Sequence, residues 1–201
     1  MSIRFLFISV VAFVMYHLLP SFIALWFGNE YVMSNAILII VLITFVMSTI
    51  RCVTDEFING YGLFSDVWAP FLEAVILIIV AIWGGYIWGI EGTLIGTIVS
   101  TAVIIYGWKP YYLFSKGFRL SVWLYWKFFI PYVLASVFSF CIGIFIFRYF
   151  EYNFQINKNW LDWFFYAVIL TCTYTIIEFL LLFSMTIGTR SLCIRIIKYF
   201  I

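Results

Sequence analysis

Six apolar blocks, most of them close to a membrane's thickness in length, take up about two thirds of the chain: residues 5–27, 32–50, 67–88, 92–108, 123–147 and 161–187. A helix needs about 20 apolar residues to cross a hydrocarbon layer about 30 Å thick, rising about 1.5 Å per residue. A succession of such blocks leaves few folds open. The surface of a soluble domain must be solvated, and such domains are about 25% charged; here 10% of residues are charged and 66% are hydrophobic. The apolar surface must therefore face lipid rather than a single buried core. The blocks lack the apolar/polar alternation of barrel strands. The expected fold is all-α: a polytopic membrane helical bundle of about six transmembrane helices, forming one transmembrane domain over residues 1–201.

The blocks differ in character. Block four, residues 92–108, is the shortest, and only the turn Gly89-Ile90-Glu91-Gly92 separates it from block three. So short a connection predicts an antiparallel helical hairpin. Block one exceeds the about 7–15 apolar residues of a secretory signal and is followed by Leu25-Trp26-Phe27-Gly28-Asn29, not by a small-residue cleavage site. It reads as a retained helix, kinked at Pro20 and carrying Trp26 at headgroup level.

Basic residues fix an expected orientation. When the loops are assigned alternately to two sides, one side collects Arg4, Arg51, Lys109, Lys116, Arg119, Lys127, Arg190, Arg195 and Lys198, and the other only Arg148 and Lys158. By the positive-inside rule both termini and the 109–122 loop are cytoplasmic, with Asn29, Ile90 and Asn157 outside. Losing or adding one helix would scramble this separation.

Within the blocks, Gly92, Gly96 and Ser100 recur at a spacing of four, with Gly84 and Gly85 on the preceding block to admit them. Lipid gives little hydrophobic drive between helices, so close backbone contact through small residues holds them together. The stripe is a packing surface, or a pivot that moves in transport. Four ionisable groups sit at or inside the blocks: His17, Glu73, Lys127 and Glu178. A charge at the bilayer centre costs about 2.5–3.5 kcal/mol on insertion scales, so such groups face a cavity or a partner. Glu73 and Glu178 are candidates for a cavity or ion-coupling site. His17 is either a hydrogen-bonded packing residue or a cavity-lining group, and Lys127 lies near enough to the interface to snorkel.

Several function classes fall away. One histidine excludes the two-histidine zinc motifs, and there is neither a phosphate-cradling glycine loop nor a nucleophile elbow. No catalytic residue, metal or cofactor is expected. A net charge of +2 gives no reason to expect nucleic acid. Cys52, Cys141, Cys172 and Cys193 lack metal-ligand spacing and read as buried, reduced thiols.

The middle of the chain resembles a known family. The run Phe57-Ile58-Asn59-Gly60-Tyr61-Gly62-Leu63-Phe64, then Trp68-Ala69-Pro70-Phe71-Leu72-Glu73, is similar to flippases of undecaprenyl-linked O-antigen and capsule repeat units. These belong to the multidrug/oligosaccharidyl-lipid/polysaccharide exporter superfamily. The likeness continues through Gly89–Ser100 and Trp108-Lys109-Pro110-Tyr111 to Lys116-Gly117-Phe118, and includes Leu25–Tyr31. It covers residues 1 to about 150 and resembles the C-terminal half of such proteins.

The resemblance implies one lobe of a two-lobe exporter in the bacterial inner membrane, working by alternating access in cell-surface polysaccharide biosynthesis. The implied partners are membrane lipid and a lipid-linked oligosaccharide substrate. One lobe cannot wall both sides of a substrate path, so a second copy or a separate N-terminal half is also implied. Lys109, Lys116 and Arg119 would form a cationic rim for the substrate's pyrophosphate, although positive-inside topology alone accounts for them. The alternative is a non-transporting membrane scaffold, or an inactive remnant of a truncated transporter gene.

Overall fold

A computed structural model of the chain describes residues 1–153 and 160–200. The described residues contain helices and no strand. Six helices are long and apolar enough to cross a membrane: α1 (Ser2–Trp26), α2 (Asn35–Gly60), α3 (Trp68–Trp88), α4 (Ile90–Phe118), α5 (Trp123–Asn153) and α6 (Trp160–Met185). A shorter helix, α7 (Ile187–Phe200), follows. The chain is an all-α, multi-pass membrane protein. Large side chains point outward along its helices, among them Tyr86 at 92% exposure and Phe145 at 82%, and in a bilayer these meet lipid. Asn157 and Lys158, expected on the outer side, lie outside the described residues.

Two helices run well beyond their apolar blocks. α2 continues past Ile50 to Gly60, because Arg51 and Asp55 pair one turn apart at 3.0 Å and keep the polar segment helical. It stops where Gly62 takes a positive φ of 65° and the Leu63 N–H reaches back to the Ile58 carbonyl at 3.1 Å. α4 runs through Lys109 and Pro110 to Phe118, so most of the expected 109–122 loop is helix. Its turns widen to π-helical geometry over Ala102–Trp108 and again over Leu113–Phe118, on either side of Pro110. Packing sustains it there. Tyr112 and Leu113 are buried against Ile58, with Leu63, Trp108, Phe114 and Phe118 around them.

The chain forms two compact units. Unit 2, Ser34–Lys127, is built on the α3–α4 hairpin and α2. Gly89 makes the hairpin turn at a φ of 63°, where an L side chain is strained. The two helices then meet backbone to backbone: a Cβ on Gly84 would lie 2.5 Å from the Gly92 carbonyl oxygen, and one on Gly96 would lie 2.9 Å from the Ala81 nitrogen. Ser34 caps α2 by accepting from the Ile37 N–H at 3.3 Å, and its hydroxyl donates to Glu91 in the first turn of α4 at 3.1 Å.

Unit 1, Met1–Met33 with Phe128–Ile201, is centred on a face-to-face stack of Phe13 and Tyr174, their rings 3.8 Å apart. Phe147 and Leu170 complete that buried cluster. Near one end of the unit, the Ser2 and Tyr132 hydroxyls bond at 2.9 Å.

Candidate functional site

Unit 2 gathers four charges at one level. At about 1.5 Å per residue, Arg51 lies about 24 Å along α2 from Asn35, Lys109 about 28 Å along α4 from Ile90, and Glu73 about 22 Å from the Trp88 end of α3. All three positions fall near the same edge of a layer about 30 Å thick. There the Arg51 guanidinium donates to Asp55 at 3.0 Å and to Glu73 at 3.1 Å, and the Lys109 ammonium pairs with the other oxygen of Asp55. The result is a chain of alternating charge, Glu73–Arg51–Asp55–Lys109, tying together three helices. The Lys109 side chain is 10% exposed and that of Glu73 14%, while Arg51 and Asp55 are about a third open. Trp108, next to Lys109 in sequence, packs on Trp68 with the rings tilted at 60° and 4.7 Å between centroids. Ala69 is fully buried against Ile104 and Ile105 one residue further along α3.

Among the described residues of unit 1, one acid is buried. On α6 the buried positions Leu170, Tyr174, Glu178 and Leu182 fall every fourth residue, so Glu178 occupies the inward stripe. Its exposure is 0%. Oε1 accepts from the Ser136 hydroxyl of α5 at 2.8 Å, whereas Oε2 is buried with no hydrogen-bond partner among the described residues. One turn away on α6, the Tyr174 hydroxyl bonds to Ser9 of α1 at 3.0 Å. Ser139, one turn beyond Ser136, is also fully buried. Hydroxyls from three helices thus surround a carboxylate with one oxygen to spare.

The remaining candidates are scattered. The His17 ring lies among aromatics, 4.6 Å from Phe13, 5.2 Å from Tyr16 and 6.2 Å from Phe147. Lys116 and Arg119 are exposed, and Arg119 takes a left-handed conformation at φ 55°, just past the end of α4. Of the three cations considered for a phosphate rim, Lys109 is the one committed to an internal ion pair. Lys127 is exposed at the start of α5. Gly92, Gly96 and Ser100 are buried along one face of α4. The four cysteines are free thiols but not the buried ones expected: Cys52, Cys141 and Cys172 are exposed and Cys193 is half-buried, on helix faces that in a bilayer meet lipid rather than a packed core. The described residues contain no cluster of three metal-ligating side chains.

Sequence reading singles out Glu73 and Glu178 but passes over Asp55, Ser136, Ser9 and Tyr174. Asp55 sits in a polar stretch where an acid needs no explanation. Ser136 and Ser9 lie on other helices, and nothing in the sequence shows that they converge on Tyr174 and Glu178.

No family model matches the chain, and neither a curated protein nor a solved structure matches it significantly. Chemically, the Glu178 carboxyl and the hydroxyls around it can take up a proton or offer oxygen ligands to a small cation. The unit 2 network is already neutral by pairing.

Proposed function

We propose that the chain is the C-terminal half of a flippase for lipid-linked polysaccharide repeat units, one lobe of an alternating-access exporter in the bacterial inner membrane. The observation that carries this reading is Glu178: a carboxylate with no exposed surface, held by one hydroxyl among apolar helices. An ionisable group there is costly in a membrane, and its usual use is an ion or substrate pathway. Protonation or cation binding at Glu178 is the event that would switch the lobe between its two arrangements.

Support also comes from where the family-like motifs fall. Glu73 closes the Trp68-Ala69-Pro70-Phe71-Leu72-Glu73 run and Lys109 sits within Trp108-Lys109-Pro110-Tyr111, so each motif supplies one member of the charge network. The Gly89–Ser100 run makes the tight hairpin on which that network is mounted. In this reading the partner lobe is a second copy or a separate N-terminal half. Lys116 and Arg119 face the cytoplasm, where the substrate's pyrophosphate is loaded.

The test is genetic and chemical. Deleting the gene should abolish surface polysaccharide and accumulate lipid-linked repeats on the cytoplasmic leaflet. The wild-type chain and Glu178→Gln, supplied in trans, should restore export fully and partly, and Glu178→Leu should not. Unchanged surface polysaccharide in the deletion strain would make the chain a non-transporting membrane protein.

A further inference from the structure

The helix α7 adds a surface that the six spanning helices do not use. α6 is 26 residues long, about 39 Å at 1.5 Å per residue, and already exceeds the about 30 Å of hydrocarbon. α7 has 14 residues, about 21 Å, too few to cross again. The joint between them is pinned. Thr186 is buried, its hydroxyl donating to the Leu182 carbonyl at 2.6 Å and bonding to Thr189 at 2.6 Å. Arg190 closes the end of α6 by donating to the carbonyls of Phe183, at 2.8 Å, and Ser184. At Gly188 the backbone comes so close to the Tyr132 hydroxyl and Ser2 that a side chain has no room. α7 is therefore held against the end of unit 1 where α1 begins.

Its free arc has two parts. Ile187, Ile194 and Ile197 are 73%, 65% and 57% exposed, and at 100° per residue they fall within an arc of about 80°, which Arg190 shares with its guanidinium turned back onto the end of α6. Lys198 and Arg195, both exposed, continue the same arc, while buried Thr189 lies on the opposite side. An apolar stripe edged by cations suits a surface that is apolar below and anionic above.

We propose that α7 lies in the plane of one leaflet, with Ile187, Ile194 and Ile197 at the acyl boundary and Arg195 and Lys198 on anionic phospholipid headgroups. This surface would fix the depth of unit 1 in the membrane and make it sensitive to lipid charge.

The full chain, with its four cysteines replaced by serine, would be placed in nanodiscs of phosphatidylcholine alone or mixed with phosphatidylglycerol. Nitroxides would be attached one at a time at positions 194, 195, 197 and 198, and their collision rates with oxygen and with a water-soluble nickel chelate compared. Positions 194 and 197 should favour oxygen and 195 and 198 the chelate. Phosphatidylglycerol should move 194 and 197 deeper, and Arg195→Gln with Lys198→Gln should remove that shift. Equal access of the chelate to all four positions would place α7 in water or on a protein partner and overturn the proposal. Depths insensitive to phosphatidylglycerol would equally overturn the headgroup contact.

Discussion

The hydroxyl of Ser136 donates to Oε1 of Glu178 at 2.8 Å, joining α5 to α6 within unit 1. The bond is lopsided, because the partner oxygen Oε2 is buried with no hydrogen-bond donor among the described residues. A hydrogen bond to a buried group contributes modestly when made, and its loss leaves a desolvated acceptor. The two residues are therefore expected to respond unequally to substitution.

Ser136→Ala should destabilise the protein in detergent by about 1–3 kcal/mol, since it takes the donor from Oε1 of a buried carboxyl. Glu178→Leu should cost less or even stabilise, because an apolar side chain of similar size suits the stripe of Leu170, Tyr174 and Leu182, and the Ser136 hydroxyl can turn to a carbonyl of its own helix. The double variant should be no less stable than Ser136→Ala alone. Thermal unfolding followed by aggregation-coupled fluorescence ranks the three. A large loss for Glu178→Leu would mean that the acid is kept for stability rather than for ion binding.

Gly96→Leu should lower the folded yield strongly, while Ile95→Leu should leave it near wild type. The first places a side chain where a Cβ alone would lie 2.9 Å from the Ala81 nitrogen, so α3 and α4 must separate. The second conserves volume at a half-buried position. Size-exclusion profiles of the two proteins, purified in parallel, decide the matter; matching monodisperse yields would speak against tight packing along this face.

The spanning helices are legible in the sequence because membrane insertion depends on length and apolarity, which single blocks carry. The helix ends are less so. Arg51 and Asp55 look like a loop start, and it takes the i,i+4 pair and the contact of Ile58 with Tyr112 to make them helix. Pro110 looks like a terminus, yet the aromatic packing of Trp108, Tyr112 and Phe118 carries α4 past it. The same limit applies to the sites. An acid among Ile176, Ile177, Phe179 and Leu180 is conspicuous, so Glu178 stands out. Its donor, forty-two residues earlier, is one serine among many, and only the packing of α5 on α6 selects it.

Opposite faces should label from opposite sides. The nine-to-two basic asymmetry predicts Ser115 in the cytoplasm and Ile90 outside, and α4 separates the two by most of its length. In a cysteine-free background, Ser115→Cys should react with a membrane-impermeant maleimide only in inverted vesicles, and Ile90→Cys only in intact spheroplasts. Reaction of both from one side would mean that α4 does not cross the bilayer.

The alternating charges Glu73–Arg51–Asp55–Lys109 should behave as one unit. Lys109→Met removes the cation that neutralises one oxygen of Asp55 at a site where the Lys109 side chain is only 10% exposed. Breaking one partner of a buried pair costs about 3 kcal/mol or more, because the remaining charge stays desolvated. Asp55 is partly open to solvent, so water relieves some of that and the lower end is expected. Adding Asp55→Asn to Lys109→Met should then recover much of the loss, since Arg51 keeps Glu73 as its partner at 3.1 Å. The coupling between the two substitutions should exceed about 1 kcal/mol, as it does for residues sharing one network. Glu73→Gln combined with Lys109→Met should recover little, because those two side chains connect only through Arg51 and Asp55. A double-mutant cycle on thermal stability in a single detergent measures all of these. Additive losses for Lys109→Met and Asp55→Asn would show that the pair does not hold α2 to α4.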